Sequence, residues 1–170
     1  MSHPDASVEF TLTQFFDAPR ALVFQTMTET DHLQKWWGPQ GCAIEVLANE
    51  PRPGGVFHYC MRFAPGVEMY GRFDWRELVA PERLVFVNGF ADAEGGRIRA
   101  LMAPDWPLEV LNTVTLDETD GKTRMTLVAA PQGASDVERE TFKAGHLSLQ
   151  QGFAGMYEVY QRYLATLQSA

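Results

Sequence analysis

The clearest pattern of apolar and polar positions lies near the carboxyl end, roughly from Ser135 to Leu167. Apolar residues recur there at steps of three, four or seven, which places them on one side of a helix. These residues are Phe142, Leu149, Phe153, Met156, Tyr160, Leu164 and Leu167. Ser135 followed by Glu138 predicts a capping box at the helix start. We therefore expect one uninterrupted helix, about 50 Å long, with a single face to bury.

Three glycines, Gly145, Gly152 and Gly155, fall inside this predicted helix. Each costs about 1 kcal/mol relative to alanine in a helix interior. Two explanations stay open at this point. Glycine allows the helix to pack closely on a sheet, or the missing side chains leave room for a ligand beneath the helix.

The first part of the chain predicts one strand and two short helices. Val8 to Phe16 alternates between apolar and polar residues, as in a half-buried strand. Asp17 is placed to cap the helix that follows, with Pro19 in its first turn. A second short helix is predicted from Asp31 to Lys35, and the glycine and proline after it end the run.

The middle of the chain reads as strands separated by turn residues. The predicted strands are Cys42–Ala48, Val56–Phe63, Val67–Leu78, Leu84–Phe90, Leu108–Leu116 and Thr123–Ala129. Strands so closely linked imply an antiparallel meander. We therefore predict an α+β fold, in which a curved antiparallel sheet of about seven strands wraps around the C-terminal helix. No linker or repeat divides the sequence, so residues 1–170 are expected to form a single domain.

Composition and charge narrow the possible partners. With 45% hydrophobic and 21% charged residues, the 170-residue chain is expected to bury a large core. Its net charge of −8 argues against nucleic acid and against anionic membrane surfaces, because both attract lysine and arginine. No apolar run is long enough to span a membrane. The first residues do not show the basic and apolar regions of a signal peptide, so we expect a cytoplasmic protein.

The alternation places Cys42 and Cys60 on opposite faces of a hairpin, which predicts free thiols.

Several short motifs occur in an order that resembles a known family. They are residues 16–24 (FDAPRALVF), 36–39 (WWGP), 52–55 (RPGG), 81–85 (PERLV), 104–109 (PDWPLE), 142–146 (FKAGH) and 152–153 (GF). Together they resemble the heat-shock chaperone ATPase activator homologue family of the START-like (SRPBCC) superfamily. The resemblance covers nearly the whole chain and implies a helix-grip fold.

The same resemblance suggests what the fold is used for. The superfamily implies a hydrophobic cavity that binds lipids, polyketides or other apolar molecules, and a few of its branches use that cavity for catalysis. The family name implies a chaperone as a further possible partner. The eukaryotic activators carry a separate N-terminal domain that this sequence does not show, so we rank the chaperone role third.

Candidate polar residues are few. The sequence matches none of the common hydrolase, redox, zinc or nucleotide templates, and its histidines do not pair at metal-ligand spacing, so no cofactor or metal is predicted. His146 lies near the edge of the helix stripe, where it either looks into the cavity to orient a ligand or is a hydrogen-bonded core histidine. Asn112 and Asn88 share the strand parity of apolar neighbours and should point inward, although Asn88 also fits the start of a turn.

Aromatic and methionine side chains supply most of the predicted cavity wall. They are Trp36, Phe57, Tyr59, Met61, Met69, Phe73, Phe86, Met102 and Trp106, joined by Leu149 and Phe153 of the helix stripe. Such residues equally well form ordinary core, but they also make adaptable walls for apolar ligands. Met102 and Trp106 lie in the irregular segment 91–105 or just after it, which we expect to fold over the cavity mouth.

Two arginines of that segment, Arg97 and Arg99, either meet an anionic head group or lie on a solvated face. Exposed aromatic surface at Trp37 or Trp75 would support a homodimer.

Three functions follow in order of preference. The first is non-enzymatic binding of a small hydrophobic or amphipathic ligand between sheet and helix. The second is a cyclase, dehydratase or hydratase, with His146 as acid–base and Asn112 or a tyrosine as the orienting group. The third is a chaperone-associated interaction domain that stimulates a heat-shock ATPase.

Overall fold

The computed structural model describes residues 8–169. The first residues, on which the expected lack of a signal peptide rests, lie outside this range. The strands are β1 (Phe10–Phe16), β2 (Ala43–Asn49), β3 (Val56–Phe63), β4 (Val67–Val79), β5 (Arg83–Ala91), β6 (Val110–Thr119) and β7 (Lys122–Pro131). The helices are α1 (Arg20–Thr28), α2 (Thr30–Trp36), α3 (Asp136–Ala144) and α4 (His146–Gln168).

The seven strands form one antiparallel sheet in the order β1-β7-β6-β5-β4-β3-β2. Every pair except β1–β7 joins consecutive strands, as the short connections predicted. Because β1 returns to pair with the last strand, Phe10 lies opposite Ala129 and Phe16 lies opposite Thr123. The curved sheet, the two short helices after β1 and the C-terminal helix confirm the predicted helix-grip fold.

The start of α1 differs from the prediction. Pro19 is the N-cap residue and makes no side-chain cap, and Asp17 does not cap the helix either. The Asp17 carboxylate instead lies 3.2 Å from Lys122 Nζ. The Arg20 N–H in the first turn donates instead to Glu118 Oε1 of β6 at 2.7 Å, so a carboxylate from the sheet satisfies one of the groups that a cap would bind.

The predicted C-terminal helix is broken into two. The capping box of Ser135 and Glu138 is present, but α3 ends at Ala144 and α4 begins at His146. At the junction, the Gly145 N–H bonds the carbonyls of Thr141 and Phe142, each at 3.0 Å. A Cβ at Gly145 would lie 2.9 Å from the Trp106 ring. One uninterrupted helix was therefore wrong, because at Gly145 the chain leaves helical geometry and passes close to that indole.

The other two helix glycines are not needed for close packing on the sheet. Gly152 is exposed, a Cβ added there would meet nothing within 4 Å, and it borders an open space of about 210 Å³, as the second explanation expects. A Cβ at Gly155 would make only ordinary contact with the Gln40 side chain, at 3.6 Å. Close packing on the sheet therefore does not require glycine at these two positions.

Two other side-chain predictions are settled by burial and contacts. Cys42 and Cys60 are free, as expected. The prediction of exposed tryptophans was wrong. Trp75 is 1% exposed and donates its indole N–H to Asn49 Oδ1 at 3.1 Å, while Trp37 is half-buried against Phe73. These tryptophans form core contacts because the concave sheet face turns toward α4, so they provide no surface for a dimer.

In the described part of the chain, no helix combines the length and apolarity needed to cross a membrane.

Candidate functional site

One end of the space between the sheet and α4 is filled by aromatic packing. The rings of Trp36 and Tyr160 lie 3.9 Å apart. The Trp36 indole donates to the Thr26 carbonyl at 2.8 Å, and the Thr26 and Tyr160 hydroxyls are 2.6 Å apart. Buried polar groups that pair in this way add specificity to tight packing. This end of the fold is therefore closed.

The other end of the same space is hollow. A cavity of about 440 Å³ lies between the inner face of β3–β7, the first half of α4, the end of α3 and the β5–β6 loop (residues 92–109). This volume falls within the usual range of small-molecule sites. A smaller inner pocket of about 40 Å³ lies deeper toward the filled end, and a side opening of about 210 Å³ lies between α4 and Trp37–Pro39.

Most of the predicted site residues line this space. Those on the main cavity are Tyr59, Met61, Met69, Asn88, Met102, Trp106, Asn112, Leu149 and Phe153. Trp36, Phe73 and Phe86 line only the inner pocket. Phe57 lines none of these spaces. It is fully buried between Tyr59 and Phe73, with ring centroids 4.8 and 5.2 Å away. Phe57 is therefore core, the alternative that remained open for these aromatic residues.

The prediction that His146 looks into the cavity was wrong. Its Nε2 donates to the Val8 carbonyl at 2.9 Å. The imidazole also packs against Phe10 and Phe142, with ring centroids 5.6 and 5.4 Å away. The break at Gly145 makes His146 the first residue of α4, where its ring bonds the chain just before β1. His146 is thus a hydrogen-bonded structural histidine, the alternative that the sequence left open.

The two asparagines meet on the cavity wall. Asn112 is 3% exposed, and its Nδ2 donates to Asn88 Oδ1 at 2.8 Å and to the Val110 carbonyl at 3.1 Å. Asn88 lies within β5 opposite Val110, so it does not begin a turn. Both residues line the main cavity and the inner pocket. Together they form one polar point on a wall that is mostly apolar.

A tyrosine hydroxyl provides a second polar point. Tyr59 is opposite Gly71 in the sheet, and a Cβ at Gly71 would lie 2.3 Å from the Tyr59 hydroxyl oxygen. The phenol end of the ring therefore lies over Gly71, which itself lines the cavity. Burial raises the pKa of Tyr59 to about 12. The phenol thus remains neutral at physiological pH and is able to donate a hydrogen bond.

The β5–β6 loop forms part of the cavity wall, in the place predicted for it. Ala100, Met102, Ala103 and Trp106 line the cavity, and the Trp106 ring packs on Phe142 at 5.2 Å. The neighbouring Leu101 is 97% exposed.

Arg97 and Arg99 hold this loop in place. Arg97 is mostly buried, binds Asp74 and donates to the Val87 carbonyl at 3.1 Å. Arg99 lies 2.6 Å from the Glu138 carboxylate of α3. The expected solvated face is therefore wrong for Arg97, and both arginines bind carboxylates of this chain. Neither lines the cavity.

Several lining residues were not predicted. They are Pro39, Phe63, Gly71, Gly89, Phe90, Ala100, Ala103, Val110, Ala129 and Phe142. A signal existed for some of them. Phe90 and Val110 share the inward parity of Asn88 and Asn112, and Gly71 interrupts a strand, which often marks close approach of another group. The small residues of the loop carry no such signal.

The chemistry available in the cavity is narrow. Within residues 8–169, Tyr59 is the one titratable residue that lines it. No group of three or more histidine, cysteine or acidic residues in the described part of the chain is arranged to hold a metal ion. The arrangement suits burial of an apolar body, with a few neutral hydrogen bonds to orient it.

Comparison with known proteins supports this fold. The family model described as "Activator of Hsp90 ATPase homolog 1-like protein" matches residues 17–167. None of the proteins with curated descriptions matches this sequence.

Solved structures give the same picture. A crystal structure of a protein from Mycobacterium smegmatis is 26% identical, with a TM-score of 0.76, over 96% of this chain and 94% of that one. A solution structure from Arthrobacter aurescens is 24% identical, with a TM-score of 0.78, over 94% and 87% of the two chains. A crystal structure from Nitrosomonas europaea is 21% identical, with a TM-score of 0.74, over 98% and 99%. The latter two similarities show the fold alone.

Proposed function

The chain belongs to the family of activator of Hsp90 ATPase homolog 1-like proteins, and from this premise we propose that it binds a small hydrophobic or amphipathic molecule between its sheet and α4. The observation that carries the proposal is the cavity of about 440 Å³, whose wall is apolar apart from Tyr59, Asn88 and Asn112. An apolar ligand that enters it gains about 25 cal/mol for each Å² of apolar surface removed from water.

The test uses a substitution on β7 that places a bulky side chain in the cavity. Ala129 of β7 is 3% exposed and lines the cavity, whereas its neighbour Ala130 points to the opposite face. We expect Nile red, a neutral dye that fluoresces in apolar surroundings, to bind the unmodified protein saturably. Ala129→Phe should weaken binding by at least about tenfold, because the added ring occupies the ligand's space.

Ala130→Phe is the matched control and should bind the dye as the unmodified protein does. Circular dichroism checks that both variants are folded. If Ala129→Phe is unfolded, Val110→Phe fills the same cavity from β6. No saturable binding by the unmodified protein, or equal binding by the filled and control variants, would contradict the proposal.

The catalytic alternative loses the residue it depended on. His146 was the expected acid–base group, but it donates to the Val8 carbonyl and lies outside the cavity wall. The pKa of Tyr59, raised to about 12 by burial, is poorly matched to proton transfer near neutral pH. The binding function therefore has the stronger support.

Family membership supports a second candidate, stimulation of a heat-shock ATPase. It is tested by measuring ATP hydrolysis by purified Hsp90 with and without this protein. An increase that saturates with concentration would support it. An unchanged rate would count against it.

A further inference from the structure

The polar groups on the cavity wall carry no charge. Asn88 and Asn112 hydrogen-bond each other, and the Tyr59 hydroxyl and the Trp106 indole N–H are further neutral polar groups of lining residues. Among the described residues that line the cavity there is no aspartate, glutamate, lysine, arginine or histidine. A ligand in this cavity therefore meets neutral donors and acceptors only.

The asparagine pair leaves one donor group and one acceptor for a ligand. Asn112 uses its two N–H groups on Asn88 Oδ1 and on the Val110 carbonyl. This leaves Asn112 Oδ1 as an acceptor and Asn88 Nδ2 as a donor, and in residues 8–169 neither makes a further side-chain bond. The two amides line the cavity together. A primary amide, which also carries a donor beside an acceptor, complements this pair.

The energetics favour a neutral ligand over a charged one. A carboxylate buried without a counter-charge loses far more hydration free energy than neutral hydrogen bonds return. A neutral amide loses less, and bonds to Asn88 and Asn112 offset that loss. The same cavity should therefore separate two ligands that differ only in the head group.

A guanidinium lies close to the wall but does not supply the missing charge. Gly89 lines the cavity, and a Cβ on its outer face would lie 2.8 Å from Arg97 Nη1. Arg97 thus sits across β5 from the cavity. It already binds Asp74, and its Nε lies 3.6 Å from Glu109. Its charge is neutralised on the outer face of the sheet.

Building on the ligand-binding function proposed above, we propose that this cavity selects uncharged ligands in which an apolar body carries a carboxamide-like group, and that it rejects the matching carboxylate. The amide head group bonds the Asn88–Asn112 pair, and the Tyr59 hydroxyl is a further neutral partner. The apolar body lies against Met61, Leu149 and Phe153.

Three probes with the same apolar chain test the head-group preference: decanamide, methyl decanoate and decanoate. Binding is measured by calorimetry between about pH 8 and about pH 6, well above the usual pKa of a carboxyl group. We expect decanamide to bind on the order of tenfold more tightly than methyl decanoate, which accepts hydrogen bonds but donates none. The affinity for decanamide should not change with pH.

Decanoate should behave differently, because only its protonated form fits the cavity. Its apparent affinity should be the weakest at about pH 8 and should rise by about tenfold for each pH unit that the pH falls. Tyr59, with a pKa of about 12, does not titrate in this range and contributes no pH dependence.

A double substitution tests the asparagine pair itself. Asn88→Leu combined with Asn112→Leu removes both amides, so neither is left without its partner. It should abolish the head-group preference, so that decanamide and methyl decanoate bind the double variant with equal affinity. Thr113→Val, on the other face of β6, is the matched control and should bind all three probes normally.

The outcomes separate this inference from the function on which it rests. If Nile red and all three probes fail to bind, both are overturned. If decanoate binds as tightly as decanamide and without pH dependence, only the selection of uncharged ligands is overturned. Loss of that decanoate binding in Arg99→Gln, with decanamide binding kept, would then assign the carboxylate to the Arg99 guanidinium. An unchanged amide preference in the double variant would also overturn the inference.

Discussion

The two halves of α4 face the same sheet, but one packs into a filled core and the other borders the cavity. The second half contributes Tyr160 and Leu164, which are at most 1% exposed, to the filled end. The first half contributes Leu149 and Phe153, which remain half-buried beside the cavity. One helix thus anchors the fold with one half and forms the wall of a hollow with the other.

The difference arises from what lies opposite each half. At the filled end, α1 and α2 supply Val23, Leu33 and Trp36, which occupy the space between sheet and helix. At the hollow end, the β5–β6 loop and α3 cover the space with Met102, Trp106 and Phe142 but do not fill it. Stability is commonly uneven across a fold, and ligand sites are drawn from the less stable part.

The largest expected effect on the free energy of unfolding comes from truncating a leucine to alanine in each half of α4. Leu164→Ala should lower the free energy of unfolding by about 3 kcal/mol, because Leu164 is 1% exposed in the filled end. Leu149→Ala should cost about 1 kcal/mol, since its side chain already faces open space. Urea unfolding measures both. Equal losses would mean that the two ends are equally well packed.

A smaller effect is expected at the start of α4. His146→Ala should lower the free energy of unfolding by about 1–2 kcal/mol, because it removes the hydrogen bond to Val8 and the contact with Phe142. The affinity for Nile red should change by no more than about twofold, since His146 does not line the cavity. Leu147→Ala, at a residue 64% exposed, is the neutral control. A large loss of dye affinity in His146→Ala would mean that His146 contributes to ligand binding.

The smallest effect concerns the ion pair that joins the cavity cover to α3. The Arg99 guanidinium lowers the pKa of Glu138 to about 2, helped by the Ser135 backbone N–H. The folded-state pKa is depressed, so the contribution is present above the ordinary glutamate value of about 4.3. It is lost as the pH falls toward about 2.

Hydrogen exchange of the β5–β6 loop, corrected for intrinsic rates, reports this ion pair. Protection should be constant above about pH 5 and fall slightly across the acid range. Glu138→Gln keeps a side chain able to complete the capping box but removes the charge, so protection should become lower and independent of pH. Glu140→Gln, on the exposed side of α3, should behave like the unmodified protein. A pH dependence that persists in Glu138→Gln would assign it to another group.

The sequence predicted the strands and the inward parity of their side chains well. The alternation in β5 and β6 placed Asn88 and Asn112 toward the helix, and both line the cavity. Such predictions succeed because side chains on a strand alternate strictly, so one buried residue fixes the orientation of its neighbours. The capping box at Ser135 was equally local, and it is present.

Predictions failed where a distant residue decided the outcome. The continuous apolar stripe did not indicate the helix break at Gly145. The Trp106 ring packs so closely on Gly145 that a Cβ there would lie 2.9 Å from it. His146 shared the helix stripe, but the turn at Gly145 directs it to the chain before β1. The error at Trp75 was of a different kind, because Trp75 shares the strand parity of Phe73 and the alternation alone places it on the buried face.

By itself, the sequence determined the order of elements, the family and an apolar concave face, because periodicity and short motifs are local properties of the chain. Only the tertiary structure decided that one end of that face is filled and the other hollow. Whether a space remains depends on the volumes of side chains that meet from distant segments, and packing is close enough that a single indole ring alters it. The pairing of Asn88 with Asn112 was decided in the same way, by the register of neighbouring strands.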